Sequence, residues 1–144
     1  MEAQIATLLA QVSRLMRRTF DEQARLIGVT RPQWQVLSVL LHNAGIHQGG
    51  LAEILEVEPI TAGRMIDRMQ EAGLVERRAD PADRRAWRLF LTDRGTDLLA
   101  SLRPMARVAY EQALDGVSEA DRIALLTTLE VMRGNLTRNP ASAG

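Results

Sequence analysis

The sequence predicts a mainly α-helical (α+β) chain with one β-hairpin, and three observations predict it. Apolar residues recur at three- and four-residue intervals through residues 1–28, 30–42, 51–72 and 96–138, as in amphipathic helices. Residues 75–79 and 86–91 are instead rich in alternating, β-branched or aromatic side chains, which favours strands. Asp, Pro and Arg dominate the span between these two segments, so we expect it to turn.

The segment from Pro59 to Ala72 is predicted to be a helix with two different faces. Glu58 suits the N-cap, Pro59 the first helical position, and Gly73 a left-handed exit. Its apolar side is formed by Ala62, Ile66 and Met69. Its polar side is formed by Thr61, Arg64 and Arg68, spaced three and four residues apart.

An outward Thr/Arg stripe suits the major groove of double-stranded DNA, because the arginine fork matches the two acceptors on the guanine edge. We therefore take Arg64 and Arg68 as candidate base and phosphate contacts, and Thr61 as a phosphate or thymine-methyl contact. The alternative is a solvated charged face, which any exposed helix carries. Asp67 is expected to orient a neighbouring guanidinium, such as one from the hairpin, or to form an ordinary surface ion pair.

A shorter helix precedes this one, with Leu51, Ile54 and Leu55 on its inner face. Glu56 stands where a helix-turn-helix commonly has glycine, so we expect this turn to form without easy access to positive φ. The two helices and the hairpin together predict a winged helix-turn-helix.

Four runs of residues resemble a known family. They are Arg64-Met65-Ile66-Asp67-Arg68-Met69, Gly73-Leu74-Val75, Asp80-Pro81-Ala82-Asp83-Arg84-Arg85 and Leu91-Thr92-Asp93-Arg94-Gly95. The arrangement resembles the MarR family of bacterial transcriptional regulators, and within it the SlyA-like branch. The Asp-Arg-Arg run followed by Leu-Thr and Gly is specific, whereas a helix-turn-helix pattern alone is not. The resemblance covers nearly the whole chain.

The resemblance implies that an arginine at the hairpin tip enters the minor groove, where A·T-rich DNA focuses negative potential. By match to the motif, Arg85 is the inserted residue and Arg84 its neighbour on the DNA backbone. Asp83 is expected to stiffen the tip by pairing with one of them. More general phosphate candidates are Arg77, Arg78 and Arg88.

The resemblance also implies a small aromatic carboxylate or related anion, bound between dimerisation helices and the winged helix. The matching positions are Arg14, Arg17, Trp34 and Ser38. Arginine beside an indole suits a flat carboxylate, through charge-assisted hydrogen bonds and stacking. The alternative for Trp34 is an ordinary core residue.

The first helix and the last two carry apolar stripes that a winged helix does not need for its own core. A second copy of the chain would cover them and would set two reading helices about 34–36 Å apart, although packing onto the same chain is the alternative. We expect a helical dimerisation region at 1–28 and 96–138, a winged helix-turn-helix DNA-binding region at 30–95, and a flexible tail at 139–144.

Local signals predict where several elements begin and end. Gly28 is expected to end the first helix, and Thr30 with Gln33 to form a capping box. Residues 43–50, which hold three glycines, are predicted to be a loop. Further signals are an N-cap at Thr92, a kink at Pro104, a helix end at Gly116, and a helix start at Ser118 with Asp121.

The composition of this 144-residue chain limits the classes of function. Its 18 basic residues, all arginine, balance 18 acidic ones, while residues 59–88 hold seven Arg against five acids. Arginine suits bidentate contacts to phosphate and guanine, although genomic base composition also explains its use over lysine. The absence of cysteine excludes disulfides and thiolate metal sites.

Catalysis is not expected, because the only histidines, His42 and His47, stand in or beside a glycine-containing loop with no evident nucleophile. We expect no metal, no cofactor and no membrane partner. The amino terminus lacks the positive segment of a secretory signal, so the expected location is cytoplasmic.

The favoured interpretation is a dimeric, ligand-responsive transcriptional repressor that binds a pseudo-palindromic operator. Two alternatives stay open at this point. One is a winged-helix module that docks a protein, and the other is an architectural DNA binder without an effector.

Overall fold

The computed structural model describes residues 1–138, which form six α-helices and three β-strands. The helices are α1 (Glu2–Leu26), α2 (Arg31–His42), α3 (Gln48–Leu55), α4 (Pro59–Glu71), α5 (Asp93–Ala113) and α6 (Glu119–Thr137). The strands are β1 (Ile46–His47), β2 (Val75–Ala79) and β3 (Trp87–Leu91). The predicted mainly α winged helix-turn-helix fold is confirmed. The predicted tail, 139–144, lies outside the described residues.

The sheet is antiparallel and has the order β1-β3-β2. The hairpin pairs Val75 with Leu91, and Ala79 with Trp87, as the strand prediction required. The prediction of a loop over residues 43–50 is wrong, because Ile46–His47 pair with β3 and α3 begins at Gln48. Pairing with β3 satisfies the backbone of this short segment, which local sequence patterns do not reveal.

The main core lies between α2, α3, α4 and the sheet. Its buried side chains are Val36, Leu37, Leu40, Leu51, Ile66, Met69, Leu74, Val75 and Leu89. Burial of an aliphatic side chain of this size contributes roughly 1.5–3 kcal/mol. The predicted apolar face of α4 is confirmed, since Ala62, Ile66 and Met69 are all buried. The core therefore fixes which face of α4 points outward.

The helix ends follow the predicted caps. Gln33 accepts a hydrogen bond from the Thr30 amide at 2.9 Å and completes the capping box, and Gly28 leaves α1 with φ +77°. Thr92 Oγ1 accepts from the Gly95 amide at 3.0 Å, and Ser118 Oγ accepts from the Asp121 amide at 3.2 Å. Helix α5 continues through Pro104.

The turn between α3 and α4 has an unexpected conformation. Glu56 occupies the left-handed region, with φ 56° and ψ 42°, and is the only non-glycine residue with positive φ among residues 1–138. The turn closes where the Val57 amide donates to the Ala52 carbonyl at 3.0 Å. The expectation that this turn avoids positive φ is therefore wrong.

The chain divides into two compact units, Met1–Ala109 and a second that begins at Tyr110. In the second unit, α6 has no buried residue and exposes Ile123, Leu125, Leu126, Val131 and Leu136. Across residues 1–138, no helix combines the length and the apolarity needed to cross a bilayer.

Candidate nucleic-acid interface

The outward face of α4 carries the three residues predicted to contact DNA. Thr61, Arg64 and Arg68 are all exposed, while the opposite side of the helix is packed into the core. Neither guanidinium is paired with a carboxylate of residues 1–138. This face therefore presents two uncompensated positive groups to the surroundings.

Arg77 of β2 braces α4 against the hairpin. Its Nη2 lies 2.6 Å from Asp67 Oδ1, and its Nη1 donates to Gln70 Oε1 at 2.9 Å. Nη2 also donates to the Gly63 carbonyl at 3.3 Å, and the side chain is only 20% exposed. Asp67 therefore pairs with a hairpin guanidinium, and because its side chain is 66% exposed the contact is also a surface ion pair, so both interpretations of Asp67 describe it. Arg77, first grouped with general phosphate contacts, is instead held against α4.

The hairpin tip orders its backbone through Asp83. The Asp83 carboxylate accepts a hydrogen bond from the Arg85 amide at 2.9 Å, and its carbonyl accepts from the Ala86 amide at 3.1 Å. Asp83 was expected to pair with a guanidinium, so the partner differs although the tip is stiffened. The side chains of Arg84 and Arg85 are exposed and face no carboxylate partner within residues 1–138.

Asp80, the first residue of the Asp-, Pro- and Arg-rich span, is buried at the base of the hairpin with 7% of its surface exposed. Its Oδ1 accepts from the Ala82 amide at 2.9 Å, and its Oδ2 lies 2.6 Å from His47 Nε2 and 3.6 Å from Arg88 Nε. The Ala82 hydrogen bond, followed by the His47 hydrogen bond, lowers the pKa of Asp80. Sequence reasoning missed this cluster because His47 stands 33 residues before Asp80.

The Leu-Thr run and the glycine after it join α4, the hairpin and α5. Thr92 Oγ1 donates to the Gly73 carbonyl at 2.6 Å, and the Thr92 amide donates to the Leu74 carbonyl at 3.1 Å. A Cβ at position 95 would overlap the Leu74 carbonyl oxygen, so this close approach requires glycine. The Leu91-Thr92-Asp93-Arg94-Gly95 run, which is part of the family resemblance, thus has a structural role in connecting these elements.

The residues predicted to bind a ligand separate into two places. Arg14 and Arg17 line a surface groove, whose other lining residues are Thr7, Ala10, Gln11 and Arg31. Trp34 packs edge-on against Phe20, with ring centroids 4.8 Å apart, in a small core cluster. Ser38 is half-buried and does not line the groove.

Asp21 links the first two helices beneath this groove. It is buried, and its carboxylate accepts from Trp34 Nε1 at 2.7 Å and from Arg31 Nε at 2.7 Å. Hydrogen bonding to Asp21, and then its charge, raise the pKa of Arg31. No local signal distinguishes Asp21 from the other acids of the first helix.

Comparison with known proteins shows which proteins this chain resembles. A model of the MarR family matches residues 27–86, the span from the end of α1 to the hairpin tip. An uncharacterised HTH-type transcriptional regulator, YybA of Bacillus subtilis (strain 168), is 25% identical over 131 residues, covering 91% of this chain and 87% of that protein. The span that the family model matches holds both exposed arginine groups, and it is 60 of the 144 residues of the chain. Proteins of that family are transcriptional regulators rather than enzymes.

Solved MarR-family structures share the fold over nearly the whole chain. A regulator from Silicibacter pomeroyi is 26% identical with a TM-score of 0.78, covering 96% of this chain and 94% of that one. SlyA is 26% identical with a TM-score of 0.75, covering 92% and 93%. A mutant E. coli MarR in complex with operator DNA has a TM-score of 0.74 at 22% identity, covering 94% of each chain, and shows likeness of fold.

Proposed function

We propose that this chain is a MarR-family regulator that represses transcription by binding a pseudo-palindromic operator as a homodimer, and that a small aromatic or anionic ligand releases it. The observation that carries the proposal is that two groups of arginines are exposed. Arg64 and Arg68 form one group on α4, and Arg84 and Arg85 form the other at the hairpin tip. The E. coli MarR structure with operator DNA supports it through the shared fold.

The two arginine groups have different tasks in this proposal. Arg64 and Arg68, with Thr61, read base edges and phosphates in the major groove, because a helix fits that groove. Arg85 enters the adjoining minor groove and Arg84 contacts the backbone beside it. The hydrogen bond that the Arg85 amide donates to the Asp83 carboxylate supports this division, because it orders the backbone that carries the inserted side chain.

Exposed apolar residues support the homodimer. On α1, a stripe at helical spacing is 46–51% exposed and comprises Ile5, Leu8, Val12 and Leu15. A contiguous stripe of this kind on a water-soluble surface marks an interface, and a second copy of the chain supplies a matching stripe. Two copies would then place two α4 helices about 34–36 Å apart, one turn of DNA.

The groove on α1 supports the ligand-responsive part of the proposal. Arg14 and Arg17 offer charge-assisted hydrogen bonds to a carboxylate in this groove. Trp34 and Ser38 of α2 do not line it, and the proposal includes them because the family resemblance implies them. Release of DNA requires that the ligand prefers a dimer whose two α4 helices are wrongly spaced for the operator.

A mobility-shift titration against the DNA upstream of the chain's own gene tests operator binding. The parent should bind specifically, with an affinity that falls steeply as salt rises. Arg64→Ala should relax base preference at one position in each half-site, costing roughly 1–3 kcal/mol, and Arg85→Ala should weaken binding mainly to A·T-rich flanks. Arg133→Ala on α6 makes the same charge change elsewhere and is the control. Parent-like binding by both test variants would overturn the proposal.

Benzoate, the simplest aromatic carboxylate, and its ring-substituted relatives test release. They should dissociate the parent from the operator and should act less on Arg14→Gln and Arg17→Gln, whose binding without ligand should be unchanged. Trp34→Ala should abolish release if the indole contacts the ligand, whereas loss of folding would assign Trp34 to the core. If none of these acids releases the parent, the effector part of the proposal fails and operator binding stands.

A further inference from the structure

We propose that His47 is a positioning residue for the hairpin, and that the charge on its imidazole controls how firmly the DNA-contacting tip is held. The inference rests on the proposed function, because it assigns the hairpin to DNA. It concerns a histidine outside both arginine groups.

His47 connects two parts of the molecule that the sheet does not join directly. It is the last residue of β1 and the N-cap residue of α3, whereas Asp80 follows β2. Strands β1 and β2 lie on opposite sides of β3 and do not pair with each other. The 2.6 Å contact between His47 Nε2 and Asp80 Oδ2 therefore crosses β3 and links the two outer strands.

The same carboxylate sets the first turn of the tip. Asp80 Oδ1 accepts from the Ala82 amide at 2.9 Å, two residues into the segment that leads to Arg84 and Arg85. The Asp80 side chain is only 6% exposed, so water competes poorly for these bonds. A change in the strength of the hydrogen bond between His47 and Asp80 Oδ2 is thus transmitted, through the carboxylate, to the Ala82 amide that Asp80 Oδ1 binds.

The charged groups around this contact define the effect of protonation. Arg88, opposite His47 in the β1–β3 ladder, lies 3.6 Å from Asp80 Oδ2, and Arg78, opposite Arg88 on β2, is paired with Glu76. Asp80 is ionised at neutral pH, since its pKa is lowered. Neutral His47 with its proton on Nε2 donates an ordinary hydrogen bond to this carboxylate, and protonation of the ring makes the same hydrogen bond charge-assisted.

Histidine changes charge near neutral pH, so the tip should be held more firmly at pH 6 than at pH 8. The His47 side chain is half exposed, which makes the effect modest. At constant ionic strength, we expect operator affinity to fall roughly two- to fivefold from pH 6 to pH 8 because of this contact. This fall is counted in addition to any pH dependence that a variant without the contact shows.

The experiment compares the parent with His47→Gln and with His42→Gln, each by operator titration at pH 6 and pH 8. Glutamine retains an N–H donor but does not titrate, so His47→Gln should lose the pH-dependent part, and His42→Gln should retain it. Asp80→Asn should also bind with little pH dependence, which keeps the test decisive if one variant folds poorly. In Arg85→Ala the dependence should shrink, because the tip contact is absent.

A second readout needs no DNA. The amide resonance of Ala82 should titrate with the same midpoint as the His47 ring in the free parent, and should not titrate in His47→Gln. An unchanged pH dependence of affinity in His47→Gln, or a static Ala82 amide, would overturn the inference. These outcomes differ from failure of the proposed function, in which the parent would show no specific binding at either pH.

Discussion

Glu56 shows at the scale of one residue how a tight turn forms without glycine. An L-residue in the left-handed region costs about 1–2 kcal/mol relative to right-handed backbone. This unfavourable backbone energy is offset because Leu51 on α3 and Ile66 on α4 are buried, and their packing fixes the geometry of the turn between the two helices.

Glu56→Gly should stabilise the fold by up to about 1 kcal/mol, because relief of the backbone strain exceeds the added entropy of the unfolded chain. Urea unfolding at equilibrium measures the difference. Glu53→Gly, the same change in the middle of α3, is the control and should destabilise by about 1 kcal/mol. Equal effects of the two changes would show that Glu56 is not strained.

Gly95 is needed for the opposite reason, a close approach of backbone. Gly95→Ala should destabilise the fold by about 3 kcal/mol or more, because the new methyl would overlap the Leu74 carbonyl oxygen. Thermal unfolding tests this. Gly134→Ala in α6, where a methyl meets nothing within 4 Å, is the control and should be neutral or slightly stabilising. A similar melting temperature for both variants would contradict the close approach.

Asp80 gives a pH dependence with a defined sign. Its pKa is depressed in the folded protein by the Ala82 and His47 hydrogen bonds, so its ionised form contributes stability that is complete above the ordinary carboxyl pKa of about 3.9. That contribution is lost as the pH falls through the folded pKa. The stability gap between the parent and Asp80→Asn should therefore be wide at pH 6 and narrow toward pH 3 in urea titrations. A gap that widens in acid would refute the assignment.

At the scale of elements, Arg77 links the hairpin to α4. The ion pair to Asp67 lies at the surface, with Asp67 66% exposed, so its coupling energy is small. Hydrogen bonds from Arg77 to Gln70 and to the Gly63 carbonyl add to the bridge without depending on Asp67.

A double-mutant cycle of Asp67→Ala and Arg77→Ala should give a coupling energy of about 0.5–1 kcal/mol in urea unfolding. Arg77→Ala alone should cost more than Asp67→Ala alone, since it also removes the bonds to Gln70 and Gly63. Gln70→Ala serves as a control for the lost hydrogen bond. Strict additivity of the two substitutions would show that the pair does not link the hairpin to α4.

For the whole molecule, the decisive quantity is the oligomeric state. Leu8→Glu should shift the protein toward monomer in sedimentation equilibrium, because it places a charge in the exposed apolar stripe of α1, where Leu8 is 51% exposed. Operator affinity should fall with it, since the two half-sites would no longer be bound together. Ala10→Glu, on the opposite side of the same helix, should leave the assembly unchanged. Dimers of undiminished affinity in Leu8→Glu would place the interface elsewhere.

Local patterns in the sequence determined the faces of α4, the capping residues and the hairpin. Ala62, Ile66 and Met69 share a face because the helix repeats every 3.6 residues, and Thr30 meets Gln33 because a cap spans one turn. Such features depend on residues only a few positions apart. The motif around Arg84 and Arg85 was visible for the same reason.

Only the tertiary structure decided the contacts between distant residues. His47 contacts Asp80 because β1 pairs with β3. A strand of two residues is too short to be predicted from its sequence pattern. Trp34 reaches Asp21 because α2 packs on α1. A side chain in isolation has the same chemistry wherever it stands, so whether an aspartate is exposed at a tip or buried beside a histidine and an arginine depends on the fold that surrounds it.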